Sequence, residues 1–260
     1  MRLNHVRRGR GEPLVLIHPL GGELVVWEPV LDRLAAERDV IALDMPGFGS
    51  SPPLPGDEEL TAAVLARAVA AFLDELGVER AHLAGNSLGA WVALELALLG
   101  RGLSVAGLGP AGLWSRPLGP RRDARRRLGR LLMPLVVPLA RSERGRGVLL
   151  GRHVARPERV PPQAAARLAR AYLTAPSYAA ASTAMRAGLF SGLEQIAVPV
   201  TLAWGEHDGV VSRPRRALPS SVRTVTLAGC GHVPTWDDPE QVSGVLLEAS
   251  SQAAAPRARA

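Results

Sequence analysis

The sequence predicts an α/β protein in which helices cover a mostly parallel central sheet. Short apolar runs rich in β-branched residues alternate with longer helical patterns over residues 14–108, and the strand pattern resumes at Pro199. This alternation is typical of parallel strands joined by crossover helices. Three of the predicted strands are followed by a turn that carries a serine, an acid or a histidine. Because the carboxyl ends of parallel strands share one edge of a sheet, we expect these side chains to meet there.

The predicted strands are short apolar runs, and the predicted helices are the longer patterns between them. The strands are 3–7, 14–18, 40–44, 81–85, 105–108, 200–204 and 224–227. The helices are 24–37, 57–76 and 87–99, with a last one near 239–249. The first strand is the weakest of the set, and a turn containing Gly9, Gly11 and Pro13 joins it to the second.

A long segment without strand signals interrupts the alternation. Residues 112–192 contain helical patterns at 121–132, 162–173 and 178–187. An all-helical insertion between two parallel strands predicts a cap over the strand ends. We therefore expect a core formed by residues 1–111 and 193–251 and a helical cap at 112–192. The Ala-, Arg- and Pro-rich tail at 252–260 is expected to be disordered.

The basic charge of the chain is concentrated in the predicted cap. All 31 basic residues are arginine, against 24 acidic residues. Residues 116–170 carry a net charge of +12, whereas the rest of the chain carries −5. The Arg-rich segment 121–130 has neither a nucleic-acid-binding fold nor stacking aromatics, so a solvated helix face is the preferred interpretation and nucleic acid is not expected. The adjacent apolar run 131–139 suggests a cap that lines a hydrophobic pocket, with peripheral membrane contact as a minor alternative.

The composition excludes several other classes of protein. With 47% hydrophobic and 21% charged residues, the chain is typical of a globular protein. The single cysteine, Cys230, cannot form an intramolecular disulfide. No apolar run reaches the roughly 18 residues of a membrane span, and residues 1–8 lack a signal-peptide core, so we expect a cytoplasmic protein. No metal-ligand cluster or phosphate-binding glycine loop is present in the sequence, so neither a metal nor a cofactor is expected.

The segment with the clearest chemical meaning is 81–90, which joins a strand directly to a helix. It contains Gly85-Asn-Ser87-Leu-Gly89, the Gly-x-Ser-x-Gly pattern of a nucleophile elbow. In such a turn the serine is exposed at the end of the sheet, and small flanking residues allow the strand and helix to approach closely. A simple helix-capping role for Ser87 is the structural alternative.

A serine nucleophile needs a general base and a carboxylate that orients it. Asp208 follows the strand 200–204 and His232 follows the strand 224–227, so the chain order is serine, acid, histidine. Glu206 competes with Asp208 for the role of the acid. For the oxyanion hole we expect the backbone N–H groups of Leu88, directly after the serine, and Leu20, in the loop after the strand 14–18.

The other notable polar residues have structural interpretations. Asp44 is expected to hold its own loop, His18 to organise the oxyanion loop, and Cys230 to be a small buried residue. The acids near the last helix are expected to cap its first turn: Asp237, Asp238 and Glu240.

Together these motifs resemble the α/β-hydrolase fold superfamily, in its branch of serine hydrolases with a helical cap. The segments that carry the resemblance are 16–22, 44–51, 85–89, 204–208 and 229–234. The resemblance implies Ser87 as nucleophile, Asp208 as acid and His232 as base, with the cap inserted after the sixth strand of the fold.

Three features depart from the pattern of that superfamily. His18-Pro19 stands where the superfamily usually has His-Gly. This difference leaves the identity of the second oxyanion donor undetermined by the resemblance. Ala90 replaces a glycine after the elbow, and the N-terminus is one strand short of the usual eight.

The preferred functional interpretation is a serine hydrolase that cleaves a small to medium carboxylic ester through an acyl-enzyme. The Gly-Asn-Ser elbow also resembles hydrolases of C–C bonds in ring-cleavage diketones, so the expected partner is a small-molecule ester or ketone. Cofactor-free perhydrolase or haloperoxidase chemistry uses the same triad. A ligand-binding module with slow turnover and a basic cap surface is the non-enzymatic alternative. Epoxide hydrolases and dehalogenases of this fold use an aspartate at the elbow, so Ser87 argues against both.

Overall fold

A seven-stranded sheet forms the centre of the protein. The computed structural model describes residues 2–120 and 124–252. Its strands are β1 (His5–Arg8), β2 (Pro13–Ile17), β3 (Asp39–Leu43), β4 (Ala81–Asn86), β5 (Gly102–Leu108), β6 (Val200–Gly205) and β7 (Val222–Leu227). Their order is β1-β3-β2-β4-β5-β6-β7. In the described chain β1 pairs antiparallel with β3 and every other pair is parallel, so the predicted mostly parallel sheet is confirmed.

Helices of the core cover both faces of this sheet. They are α1 (Glu28–Ala35), α2 (Ala62–Glu75), α3 (Leu88–Leu98) and α9 (Pro239–Ser251). Alternate strand residues enter opposite cores, so Val15 and Ile17 of β2 pack with α2 and α3, whereas Leu14 and Leu16 pack with α1 and α9. This alternation is the period-two pattern of a strand that is buried on both faces.

Two helix starts differ from the sequence prediction for local reasons. The helix predicted at 24–37 begins as a 3-10 turn, Leu24–Trp27, before α1. Pro29 lacks an N–H group, so it cannot form the α-helical hydrogen bond to the carbonyl of Val25. The helix predicted from residue 57 begins five residues later, because Thr61 is its N-cap and accepts a hydrogen bond from the N–H of Val64 at 3.2 Å.

We call the chain between β5 and β6 the insert, and its described part contains five α-helices. They are α4 (Ala124–Leu131), α5 (Val136–Ala140), α6 (Glu143–Leu150), α7 (Pro162–Thr174) and α8 (Tyr178–Ala187). The sequence pattern did not predict α5 and α6, which contain Pro138, Gly145 and Gly147, residues of low helix propensity. The domain boundaries at 111–112 and 192–193 stay a prediction. Residues 121–123 of the predicted cap helix and 253–260 of the predicted disordered tail lie outside the described residues.

Arginines, rather than leucines, attach α4 to α7. The side chain of Arg126 is buried, and Arg126 and Arg130 both donate hydrogen bonds to backbone carbonyls at the C-terminal end of α7. The donor–acceptor distances are 2.8 Å for Arg126 Nε to Tyr172 O, 2.6 Å for Arg126 Nη2 to Ala175 O, and 2.8 Å for Arg130 Nε to Leu173 O. Carbonyls at a helix C-terminus lack intrahelical donors and carry partial negative charge, so a guanidinium stabilises them.

Arg146 of α6 also donates hydrogen bonds to backbone carbonyls inside the insert. It is buried, and its guanidinium donates to the carbonyls of Ala140 at 3.1 Å and Glu158 at 3.0 Å. The interpretation of the segment 121–130 as a solvated helix face is therefore wrong for Arg126, and Arg146 outside that segment is buried in the same way. The described structure uses them as internal hydrogen-bond donors.

Loss of the Arg126 guanidinium is expected to destabilise the fold. Arg126→Ala leaves two α7 carbonyls without their charged donor, so the free energy of unfolding should fall by about 2 kcal/mol. Arg127→Ala removes the same kind of side chain from the adjacent exposed position and should change it by less than about 0.5 kcal/mol. Urea unfolding followed by circular dichroism measures both values, and equal values for the two variants would contradict this assignment.

Candidate active site

Ser87 makes the whole turn between β4 and α3. β4 ends at Asn86 and α3 begins at Leu88. Ser87 has a φ of 56°, and no other non-glycine residue of the described chain has a positive φ. Its side chain forms no capping hydrogen bond, so the alternative of a simple helix cap is wrong. The residue instead has the strained backbone expected of a nucleophile elbow.

Two glycines permit this turn because three backbones meet there. A Cβ on Gly85 would collide with the carbonyl of Gly89, one turn into α3. A Cβ on Gly89 would collide with the carbonyls of Ile17 and His18, at the end of β2. The elbow therefore packs directly against the start of the loop that contains Leu20.

The acid and the histidine lie against each other. Nδ1 of His232 donates a hydrogen bond to Oδ2 of Asp208 at 2.8 Å, and each of these side chains is 3% exposed. Glu206 is exposed, and its Oε2 accepts a hydrogen bond from the N–H of Gly229 at 2.8 Å. The structure thus pairs His232 with Asp208 and leaves Glu206 to stabilise a neighbouring turn.

The surroundings of Asp208 favour its charged form. Burial raises the pKa of Asp208, but the hydrogen bond and charge of His232 and the N–H groups of Val211 and Val210 together outweigh this effect. The two N–H groups donate to Oδ1 at 2.9 and 2.8 Å. The pKa of Asp208 therefore lies below its ordinary value, and the carboxylate is ionised at neutral pH.

Asn86 connects the elbow to the loop of the histidine. Its buried Nδ2 donates to the carbonyls of Leu108 and His232, both at 2.9 Å. The N–H of Ser87 donates to the same Leu108 carbonyl at 2.8 Å. The residue that precedes Ser87 thus binds the backbone of His232, which holds the two backbone segments together at the edge of the sheet. The sequence analysis did not assign this role to Asn86.

The backbone after β5 lies against the Asp208–His232 pair. Gly109 has a φ of 50°, and a Cβ there would lie 2.9 Å from Oδ2 of Asp208 and 3.1 Å from Nδ1 of His232. A side chain at this position would press on the hydrogen bond between the two residues, so the site requires glycine.

The two predicted oxyanion donors are unpaired. Within the part of the chain that the structure describes, the backbone N–H groups of Leu20 and Leu88 have no hydrogen-bond partner. Leu88 is fully buried, and unpaired buried N–H groups are rare in folded proteins. The site therefore offers two free donors, one on each of two segments that meet at the elbow.

His18 holds the loop that carries Leu20. Its Nε2 accepts a hydrogen bond from the N–H of Met45 at 2.9 Å, and its Nδ1 donates to the carbonyl of Pro19 at 2.8 Å. Burial lowers the pKa of His18 more than the nearby Asp44 raises it, so the imidazole is neutral. These bonds match the predicted role of His18 as an organiser of the loop.

Aromatic rings of the insert cover the same loop. A Cβ on Gly21 would lie 3.0 Å from ring atoms of both Tyr172 and Tyr178. The two rings pack edge to face with their centroids 5.1 Å apart, and the guanidinium of Arg126 lies over Tyr178 at 4.5 Å from the ring centroid. The insert is therefore in direct contact with the loop beside the elbow.

Two further residues have the structural roles that the sequence suggested. The carboxylate of Asp44 accepts hydrogen bonds from the N–H of Leu24 at 2.7 Å, the N–H of Ser50 at 2.9 Å and Nδ2 of Asn4 at 2.7 Å. Cys230 is fully buried, and burial together with the charges of nearby acids raises the pKa of its thiol to about 12. The thiol is therefore protonated at neutral pH and is not a nucleophile.

The prediction that Asp237 caps the last helix is wrong. Asp238 is the N-cap of α9, and its Oδ1 accepts a hydrogen bond from the N–H of Gln241 at 2.9 Å. Pro239 is the first helical residue, so Asp238 directly before it is the N-cap. Asp237 therefore lies outside the helix. The Asp238-Pro239 pair is the signal in the sequence from which a different role for Asp237 could have been predicted.

Asp237 connects the insert to the loop of His232. Its carboxylate is 1% exposed and accepts hydrogen bonds from the N–H groups of Ala155 at 3.1 Å, Arg156 at 2.7 Å and Gly231 at 2.8 Å. Gly231 directly precedes His232. One buried carboxylate therefore fixes the insert and the histidine loop relative to each other.

The described residues contain no group of three or more His, Cys, Asp or Glu side chains placed to hold a metal ion. None of the helices in the described ranges has both the length and the apolar character needed to cross a membrane.

Asp237→Asn is expected to loosen this connection. The amide of asparagine places an N–H donor where the carboxylate accepts from backbone N–H groups, so the free energy of unfolding should fall by about 2–3 kcal/mol. Amide hydrogen exchange at residues 155, 156 and 231 should become faster. Asp238→Asn removes the same charge but keeps a good N-cap, and should change stability by less than about 0.5 kcal/mol. Unchanged exchange in Asp237→Asn would show that the carboxylate does not hold the two segments.

Comparison with known proteins places the chain in a family. Residues 14–245 match the alpha/beta hydrolase family. The chain is 31% identical over 202 residues to epoxide hydrolase EphH of Mycobacterium tuberculosis, covering 72% of this chain and 94% of that protein. It is 46% identical over 116 residues to the dihydrolipoyllysine-residue acetyltransferase component of the acetoin cleaving system of Cupriavidus necator, covering 43% of this chain. The matched region spans 30% of the length of that relative.

A solved structure shows the same architecture. A thermophilic esterase from Thermogutta terrifontis superposes with a TM-score of 0.73 over 97% of this chain and 94% of its own, at 22% identity. This likeness concerns the fold. With the match over residues 14–245, it follows that the chain belongs to the alpha/beta hydrolase family.

Proposed function

We propose that the protein is a serine hydrolase that cleaves small to medium carboxylic esters through an acyl-enzyme. The observation that carries this proposal is the strained Ser87 turn, joined through Asn86 to a histidine that is paired with a buried aspartate. Nucleophilic catalysis by a serine requires a histidine that is oriented by a carboxylate and can reach the hydroxyl.

In the proposed reaction His232 acts as the general base. Its Nδ1 is engaged with Asp208, so Nε2 is the nitrogen that accepts the proton of Ser87 Oγ. The Oγ then attacks the carbonyl carbon of the ester, and the carbonyl oxygen becomes an oxyanion. The imidazolium returns its proton to the leaving alcohol, which breaks the C–O bond and leaves the acyl group on Ser87. A water molecule, deprotonated by His232, hydrolyses the acyl-enzyme and releases the acid.

The remaining groups stabilise charges that appear during the reaction. The ionised carboxylate of Asp208 fixes the tautomer of His232 and stabilises the imidazolium. The free N–H groups of Leu88 and Leu20 are the proposed donors to the oxyanion. Donors that have no other partner need no rearrangement when the charge develops, which is the main advantage of a preorganised oxyanion hole.

The enclosure of the site supports a substrate of limited size. Ser87 is 6% exposed and His232 is 4% exposed. The tyrosine rings of the insert lie on the loop beside them. A small or medium ester with an apolar acyl or alcohol part suits such a covered site better than a polymer does.

The serine at the elbow favours acyl transfer over epoxide opening, despite the similarity to EphH. The epoxide hydrolases of this fold attack carbon with an aspartate at the elbow, and the present chain has Ser87 there. A serine alkoxide that is paired with histidine is suited to a carbonyl carbon, because the oxyanion that forms has donors next to it.

Ser87→Ala should abolish the hydrolysis of a simple aryl ester such as p-nitrophenyl acetate. The variant lacks the attacking oxygen, so kcat should fall by about 10⁴-fold or more. Ser191→Ala changes an exposed serine of the insert and should retain wild-type kinetics. Full activity in a correctly folded Ser87→Ala protein would refute the proposal.

A substrate comparison separates ester hydrolysis from the other reactions of this triad. Aryl esters of increasing acyl length are expected to be turned over faster than a dienoate diketone. Preferential cleavage of the diketone would identify a C–C hydrolase. Halide oxidation in peroxide and acetate would identify a perhydrolase, and binding without turnover of any of these compounds would identify a ligand-binding module.

A further inference from the structure

The insert presents an apolar stripe to solvent. Leu128, Leu131, Leu132 and Leu135 are 57%, 79%, 46% and 49% exposed. Their spacing of i, i+3, i+4 and i+7 places them on one face of the helical run formed by α4 and the 3-10 turn Met133–Leu135. The expectation that the run 131–139 lines a hydrophobic pocket is therefore wrong for Leu131, Leu132 and Leu135, which are largely exposed to solvent.

The orientation of α4 is fixed by its opposite face. Arg126, Gly129 and Arg130 have the spacing i, i+3, i+4 and lie against α7. The two arginines donate to α7 carbonyls, and a Cβ on Gly129 would press on the side chain of Leu173. Surface helices of globular proteins usually bury the apolar stripe and expose the charged one. In α4 this polarity is inverted, because Arg126 is buried and Arg130 is hydrogen-bonded to the end of α7, whereas the leucines face outward.

Exposed arginines without ion pairs flank the stripe in the sequence. Arg127, at the start of the stripe, and Arg141 and Arg144, which follow it in the chain, are exposed. In the described ranges none of the three forms an ion pair with a carboxylate. Residues 116–170 as a whole carry a net charge of +12. The stripe is therefore an apolar surface within a strongly cationic part of the chain.

An exposed apolar stripe can bind a second copy of the chain, another protein or a lipid surface. The leucines and arginines of this segment favour an anionic lipid surface. In a symmetric dimer the same patch meets itself, so the arginines of the two copies would repel each other. Stable protein interfaces also need roughly 20–30 residues from each partner and are anchored by aromatic residues, whereas this stripe consists of four leucines. Leucines that enter the acyl boundary, with arginines at the phosphates, are typical of interfacial helices.

We propose that α4 and the following turn bind the surface of an anionic membrane. The leucine side chains of the stripe enter the interface, and the exposed arginines bind lipid phosphates. The surface shares no residue with the proposed catalytic machinery. An experiment that refutes the membrane contact would therefore leave the proposed esterase activity unaffected, and the reverse also holds.

Vesicle flotation with the full chain tests this proposal. The protein should bind vesicles of phosphatidylcholine containing about 30% phosphatidylglycerol, and binding should weaken when salt is raised above about 0.1 M. Vesicles of phosphatidylcholine alone should bind it far more weakly. Leu131→Glu combined with Leu135→Glu should lower the partition coefficient by about tenfold or more, because apolar contact is lost and negative charge is added.

A matched control separates the stripe from net charge. Leu98 and Leu99, at the C-terminal end of α3, are 37% and 50% exposed. Leu98→Glu combined with Leu99→Glu adds the same two negative charges on another part of the surface and should leave binding near the wild-type level. A second variant, Arg141→Gln with Arg144→Gln, keeps the leucines and should also bind about tenfold more weakly. Circular dichroism and urea unfolding establish that each variant is folded.

Four results would overturn the proposal. The first is failure of the wild-type protein to bind the anionic vesicles, and the second is an equal loss of binding in the two leucine double variants. The third is association with soluble polyglutamate but not with vesicles, which would indicate an acidic protein partner. The fourth is a dimer in light scattering that the stripe variant converts to a monomer, which would indicate a second copy of the chain.

Discussion

Three backbone segments meet at the Ser87 turn, and the arrangement of the site depends on how closely they approach. The end of β4, the first turn of α3 and the end of β2 leave no room for a Cβ at Gly85 or Gly89. This contact brings the loop with the free Leu20 N–H to the free N–H of Leu88. Within this turn Ser87 has a positive φ, which strains the residue, and its side chain forms no capping hydrogen bond. The placement of Ser87 relative to the two unpaired N–H groups is thus one consequence of backbone packing.

The histidine is held to this turn from two sides by buried polar side chains. Asn86 binds the carbonyl of His232 from the elbow, and Asp237 binds the N–H of Gly231 together with two N–H groups of the insert. Asp208 then fixes the imidazole itself. Because each of these contacts ends on a different element, the position of His232 depends on the core and on the insert together. The insert is therefore part of the support of the site as well as its cover.

The sequence predicted those parts of the molecule whose signals are local. Strands, the elbow and the residues that follow strand ends, such as Asp208 and His232, can be recognised from apolar runs and chain order. The partners of Asn86 and Asp237 could not be predicted, because they are backbone groups 146 and about 80 residues away in the chain. The inverted polarity of α4 was missed for the same reason, since an arginine that binds the end of a distant helix looks like a solvated charge in the sequence. Short helices such as α5, which contains Pro138, form through packing rather than through propensity.

The central claim is that Ser87 is an activated nucleophile in the folded protein, and a fluorophosphonate probe tests it most directly. Mass spectrometry after brief labelling should locate a single adduct on Ser87. The adduct should disappear when the protein is unfolded and form much more slowly in Asp208→Asn, where His232 loses its orienting carboxylate. An unlabelled Ser87 in the native protein, or labelling that is equally fast with and without Asp208, would contradict the account.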